Sequence, residues 1–117
     1  MNSALIGALL LAMAMVESDC NPEKVNPVCG GVGIIQITDI MLDDCNRIVG
    51  ENRWSSADRF DIIRSYEMAV TYWNHYGFTK PEEMARSWNG GPDGDWQDCT
   101  LDYWVKVDAA LTNIMRH

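Results

Sequence analysis

Positive charge is scarce in this sequence: 9 Lys and Arg stand against 17 Asp and Glu, for a formal net charge of −8 over 117 residues. A chain this acidic repels a nucleic-acid backbone and an anionic membrane surface, so no nucleic-acid partner is expected. Histidine is nearly absent. His75 and His117 share no metal-ligand spacing with each other or with a cysteine, and the 4 cysteines contain no C-x-x-C pair, which leaves zinc and thioredoxin-like readings unsupported. Asp39, Asp43 and Asp44 lie on or beside one predicted helix without an Asp-x-Asp-x-Asp-Gly loop, and read as a solvated acidic face rather than a calcium site. No metal and no cofactor are expected. Repeats, low-complexity tracts and linkers are missing too, so residues 1–117 form one domain.

The longest apolar run, Ala4 to Val16, has 13 residues, too few to cross a bilayer. Ala12-Met13-Ala14 imitates a signal-peptide cleavage site, but no Lys or Arg precedes the run, and cutting there would remove a core helix. The run is read as structure, with no cleaved leader and no membrane insertion.

Apolar on every side, the Ala4–Val16 stretch predicts a helix buried all round. Glu17 closes it. Apolar surroundings disfavour the ionised carboxylate, and so does the negative end of the helix dipole, so Glu17 is expected to hold its proton as a general acid must. The Gly33-Ile34-Ile35-Gln36 turn follows within twenty residues and sets this acid in a dry wall at the edge of a cleft.

Further helices are predicted by spacing and caps. Thr38 opens one reaching about Ile48. Ile62, Ile63, Tyr66, Ala69, Val70, Trp73 and Tyr76 keep helical spacing up to a stop at Gly77. Thr79 and Glu82 form a capping box, with Pro81 in the first turn of a short helix through Trp88. The Asn89-Gly90-Gly91-Pro92-Asp93-Gly94 stretch reads as a loop. Thr100 caps a last helix whose Trp104, Val107, Leu111 and Ile114 share a face. Only Gly31 to Ile37 reads as extended, one arm of a small hairpin at most, so the fold class is mainly α. Ser55 and Ser56 read as a helix cap rather than a nucleophile. Trp54, Trp73 and Trp104 are assigned to the core.

Three segments, in order, carry a resemblance: Val16-Glu17-Ser18 with Asn21-Pro22, then Gly33-Ile34-Ile35-Gln36-Ile37, then Ala85-Arg86-Ser87-Trp88-Asn89-Gly90-Gly91-Pro92. Together they resemble the lysozyme-like superfamily, in the order found in soluble lytic transglycosylases and goose-type lysozymes. The C-terminal half, through Asn89-Gly90-Gly91-Pro92, Thr100-Leu101-Asp102-Tyr103-Trp104 and Lys106-Val107, is similar to invertebrate-type lysozymes.

The resemblance implies a lysozyme-like helical domain around a buried N-terminal helix. It also implies cleavage of the β-1,4 bond between N-acetylmuramic acid and N-acetylglucosamine in peptidoglycan, with Glu17 as catalytic acid. Ser18, Gln36, Asn89 and the Gly90 and Gly91 backbone are then candidate sugar contacts, and Trp88 and Tyr103 candidate platforms. Trp88 reads equally well as core. Invertebrate-type enzymes place a catalytic Asp in the loop before the Gln turn, yet Val25 to Val28 contains none. Glu23 and Asp19 are the only acids nearby and read as solvated. The substrate's own acetamido group can stand in for the missing carboxylate, followed either by hydrolysis or by attack of the sugar's 6-hydroxyl.

Cys20 and Cys29 bracket the loop after Glu17 and are the first candidates for a disulfide, with Cys45 and Cys99 left to pair or stay reduced; free thiols are the alternative. The expected partner is peptidoglycan or a related N-acetylated glycan, met by a monomer in the periplasm, outside the cell or on a phage. A chitin-like substrate, and a non-catalytic glycan-binding or virion module, are the competing readings.

Overall fold

Thirteen consecutive apolar residues have to be covered, and the rest of the chain folds around them. The computed structural model describes residues 3–116; His117 lies outside the described residues. Helix α1 spans Ser3–Ser18 and buries Leu9, Leu10, Ala12, Met13 and Ala14. It packs most extensively against α5 (Leu101–Met115) and more lightly against α4 (Pro81–Gly90). Burial is not complete on every side. Ser3, Ala4, Gly7, Leu11 and Met15 form one solvent-facing stripe, with Leu11 42% and Met15 41% exposed. Too few helices surround α1 to cover it all round, and the stripe falls on the side that none of them takes.

Helix α2 (Asp39–Val49) starts where Thr38 accepts the Met41 N–H in its hydroxyl, as its sequence signals. Helix α3 (Ile62–Tyr76) ends at Gly77, whose φ of 76° is left-handed and suits a residue without Cβ. Its buried stripe is Ser65, Met68, Ala69, Tyr72 and Trp73, rotated from the face read off the sequence, and Ile63 is 71% exposed. Two polar attachments set that rotation. The Ser65 hydroxyl donates to the Arg59 carbonyl at 3.1 Å, and the Cys45 thiol approaches the Met68 carbonyl at 3.5 Å.

Helix α4 begins one residue later than the Thr79–Glu82 box predicts. Lys80 is the N-cap and its N–H donates to Glu83 Oε1 at 3.3 Å, with Pro81 at N1. The helix also runs two residues further, absorbing Asn89 and Gly90, so the loop starts at Gly91. Arg86, buried on α4, holds that loop from inside: its guanidinium donates to Thr100 Oγ1 at 2.8 Å and the Gln97 carbonyl at 2.7 Å, and pairs with Glu82 at 2.7 Å. Thr100 stands at the start of α5, but its hydroxyl serves this network and does not cap the helix. Tyr103, Val107 and Leu111 form the buried face of α5, with Trp104 and Ile114 half-buried. Ser55 does take an N-cap position, its N–H donating to Asp58 Oδ2 at the 3₁₀ turn Ser56–Phe60.

The expected hairpin arm reduces to two isolated bridges among the described residues, Val25 with Val32 and Val32 with Ile37. The Cys20–Cys29 disulfide is absent: all four cysteines are free, Cys20, Cys29 and Cys99 exposed and Cys45 buried. Hydrogen bonds close the loop instead. Asn26 exchanges backbone bonds with Gly30 and Gly31 at 2.9 Å each, and Asn26 Oδ1 accepts from Val28 N–H at 2.9 Å.

Gly33 makes the tightest approach in the fold. At φ 88°, a Cβ there would run into the Arg59 carbonyl oxygen. Gly33→Ala should therefore cost at least about 2–3 kcal/mol in urea unfolding. Gly30→Ala, at φ 76° with open space around it, should cost only about 1 kcal/mol.

Candidate active site

Glu17 is the next-to-last residue of α1 and is half-buried there. Desolvation pushes its carboxyl up to about 8, opposed by the positive charge of Lys24. Neutral carboxyl is the stable form at pH 7. Lys24, which carries no sequence signal of its own in an exposed loop, reaches back over the helix end, its Nζ donating to the Glu17 carbonyl at 3.1 Å. The same residue's carbonyl accepts the Gly33 N–H at 2.8 Å and Gln36 Nε2 at 3.2 Å. The loop cation and the Gln turn are thereby tied together.

Ser18 is 3% exposed. Its hydroxyl donates to the Ile34 carbonyl at 2.7 Å and accepts the Asn21 N–H at 3.2 Å; it joins α1 to the Gln turn and has no free group to offer a sugar. Gln36, at φ 54° and 8% exposed, gives its Nε2 to Gly33 and Lys24, while Oε1 is buried without a hydrogen-bond partner. Trp88 is 2% exposed, packs edge-on against Tyr72 and Trp73, and donates its indole N–H to the Ile35 carbonyl at 3.0 Å. That burial removes it as a sugar platform and settles it as core.

Tyr103 is 8% exposed and its hydroxyl has no partner. Its phenol is raised well above the usual range, by burial first and by the negative charge of Glu17 second. The phenol and the carboxyl thus lie within electrostatic reach of each other, and Tyr103 is no more a sugar platform than Trp88. Asn89 and Gly90 are exposed on the last turn of α4, and Gly91 follows at φ 87°. The residues converging on the Gln turn are Ser18, Lys24 and Trp88, with Glu17 beside them on α1 and Tyr103 within reach of Glu17; Gly90 lies against Thr100, and Gly91 lines a groove with Met41, Asp44 and Tyr72.

No second carboxylate is among the groups that shift Glu17, and Glu23 and Asp19 are exposed. No cluster of His, Cys, Asp and Glu able to hold a metal occurs among the described residues. The chemistry available is that of a single acid: a proton donor at neutral pH, with Lys24 placed to favour the carboxylate once the proton has left.

A raised carboxyl pKa couples folding to pH. Folded Glu17 keeps its proton up to about 8, whereas the unfolded chain loses it near 4.5. This contribution is full below 4.5 and is lost as pH climbs through 8. Glu17→Gln has no such proton to lose. Its stability relative to the parent should rise between pH 5 and 8, by on the order of 1 kcal/mol per pH unit, measured by denaturant unfolding at stepped pH.

Against known structures, the chain superposes on Tapes japonica lysozyme with a TM-score of 0.71 at 28% identity, over 86% of this chain and 85% of that one. A chain in the complex of Aeromonas hydrophila PliI with Meretrix lusoria lysozyme matches with a TM-score of 0.74 at 22% identity, over 87% of each chain; at that identity it speaks for the fold alone. A search of curated proteins by sequence gives no match. The model of the transglycosylase SLT domain matches residues 3–109, nearly the whole described chain. The protein belongs to the transglycosylase SLT domain family.

Proposed function

We propose that the protein cleaves the β-1,4 bond between N-acetylmuramic acid and N-acetylglucosamine in peptidoglycan, with Glu17 as the single general acid and base. The observation that carries this reading is the half-buried carboxyl at the end of α1, held neutral up to about 8 by desolvation. Family membership and the likeness to a lysozyme supply the glycan-cleaving frame.

In the first step the Glu17 proton passes to the glycosidic oxygen as the bond to the anomeric carbon breaks. The acetamido carbonyl oxygen of the muramic acid residue closes onto that carbon and takes the place of a carboxylate nucleophile. In the second step the Glu17 carboxylate removes a proton from an attacking hydroxyl, which displaces the acetamido oxygen. If the hydroxyl is the sugar's own 6-hydroxyl, the product is an anhydro sugar; if it is water, a reducing end. Lys24 favours the carboxylate between the two steps. The reaction belongs outside the cytoplasm, where peptidoglycan is, and it needs no cofactor.

A second reading keeps the fold as a glycan-binding module, favoured by the lack of a second carboxylate. Digestion of purified peptidoglycan followed by mass analysis of the products separates the two. Glu17→Gln should lower the rate by about 10²–10⁴-fold while retaining polymer in pull-down. Parent activity should decline as pH rises through 8, where the proton is lost. Retention of polymer with no cleavage by the parent protein would establish the binding module instead.

A further inference from the structure

Of the five tryptophans, Trp54, Trp73 and Trp88 are buried and Trp104 is half-buried, whereas Trp96 is 70% exposed. No other aromatic side chain is as open: Phe60 follows at 43%, and every tyrosine is buried or half-buried. A single apolar side chain in water is ordinary on a protein surface. What sets this one apart is the support beneath it.

Trp96 ends the 3₁₀ turn Gly94–Trp96, and the backbone on both sides of its ring is fixed from within. Gly94 is buried against the Arg86 carbonyl, where a Cβ would collide, and its own carbonyl accepts the Thr100 hydroxyl at 2.6 Å. On the other side, the Gln97 carbonyl accepts from the buried Arg86 guanidinium at 2.7 Å. A ligand that covers the indole therefore finds the backbone already ordered and is spared that entropic cost.

Hydrogen bonds and close packing connect this turn to the end of α1 that carries Glu17. Ser18 donates to the Ile34 carbonyl and Trp88 to the Ile35 carbonyl, so the ends of α1 and α4 meet on two consecutive residues of the Gln turn. Gly90, two positions after Trp88, lies against the Thr100 methyl group, and Thr100 is the residue that holds Gly94. Trp96 is thus carried on the rim of the region around Glu17. Asp93, Asp95 and Asp98 surround it in the chain, which disfavours an anionic ligand there. The C–H groups of a neutral sugar ring carry the small positive charge that an aromatic face attracts, and they gain by leaving water.

We propose that Trp96 is an outlying sugar platform, stacking on one neutral N-acetylglucosamine ring of the strand whose glycosidic bond Glu17 cleaves, and contributing binding but no chemistry. The inference rests on the glycan-cleaving reading for the identity of the strand, and the ring contact is testable apart from it.

Fluorescence of the full chain is quenched with acrylamide, with and without chitotetraose. The sugar should shield the open indole, and the sugar-dependent change should vanish in Trp96→Ala. By calorimetry, Trp96→Ala should weaken chitotetraose binding about two- to tenfold, Trp96→Phe less, and Phe60→Ala not at all, with circular dichroism verifying that each variant is folded. On peptidoglycan, the loss in Trp96→Ala should fall on KM and spare kcat. Glu17→Gln should do the reverse, keeping the shielding and losing cleavage. Shielding in the parent without cleavage of peptidoglycan would leave Trp96 as a sugar contact and remove Glu17 from catalysis. Cleavage with an unshielded indole, and an unchanged KM in Trp96→Ala, would overturn the platform and leave Glu17 in place. Shielding by trilysine but not by chitotetraose, or by raising the protein concentration without sugar, would also overturn it, in favour of a cation or a second copy of the chain.

Discussion

The carbonyl oxygens of one seven-residue stretch hold this fold together. Within Gly31 to Ile37, the Gly33 carbonyl accepts from the Gln36 side chain, Ile34 from Ser18, Ile35 from Trp88 and Ile37 from Arg59. Three other parts of the chain thus end on one short segment, which also bonds to itself through Gln36 and is buried along its length. A buried carbonyl left unpaired costs about 1–3 kcal/mol, so the turn is stable only when α1, α4 and the Arg59 segment are all in place. The reverse also holds. Those elements are kept in register by acceptors that a sheet would have used up internally.

This constraint is what puts Glu17 where it is. Ser18 is anchored to the Ile34 carbonyl, and its predecessor is half-buried within electrostatic reach of Tyr103. Desolvation then exceeds the attraction of Lys24, which touches the helix end through the Glu17 carbonyl. The cation is near enough to matter and too solvated to dominate.

Much of this was readable in the residues. Thr38 and Gly77 mark helix ends by local chemistry, since a side chain or a missing Cβ acts within four residues of its own position. Glu17 was legible for the same reason, as a charge at the end of an apolar run. What could not be read depends on partners far along the chain. Trp88 is core because its indole meets Ile35, 53 residues away. The exposed stripe of α1 is as apolar as its buried side, so no pattern distinguishes them. Trp96, 70% exposed, drew no attention beside four other tryptophans, and the rotation of α3 follows from Ser65 bonding to the Arg59 carbonyl. The loop after Glu17 looked like a disulfide loop by cysteine position, yet Asn26 closes it with backbone bonds.

On the proposed reading, the want of a second carboxylate follows from the electrostatics. A carboxyl held neutral by burial is a weak acid, but its conjugate base is correspondingly strong, and one residue that must give a proton and then take one from a sugar hydroxyl benefits from both properties. An ionised aspartate close by would raise Glu17 further and slow the donation on which the first step depends. Lys24 corrects in the opposite direction, lowering the pKa toward the working range without supplying a competing base. Desolvation and one loop cation can therefore set the acid strength that other glycosidases set with a pair of carboxylates.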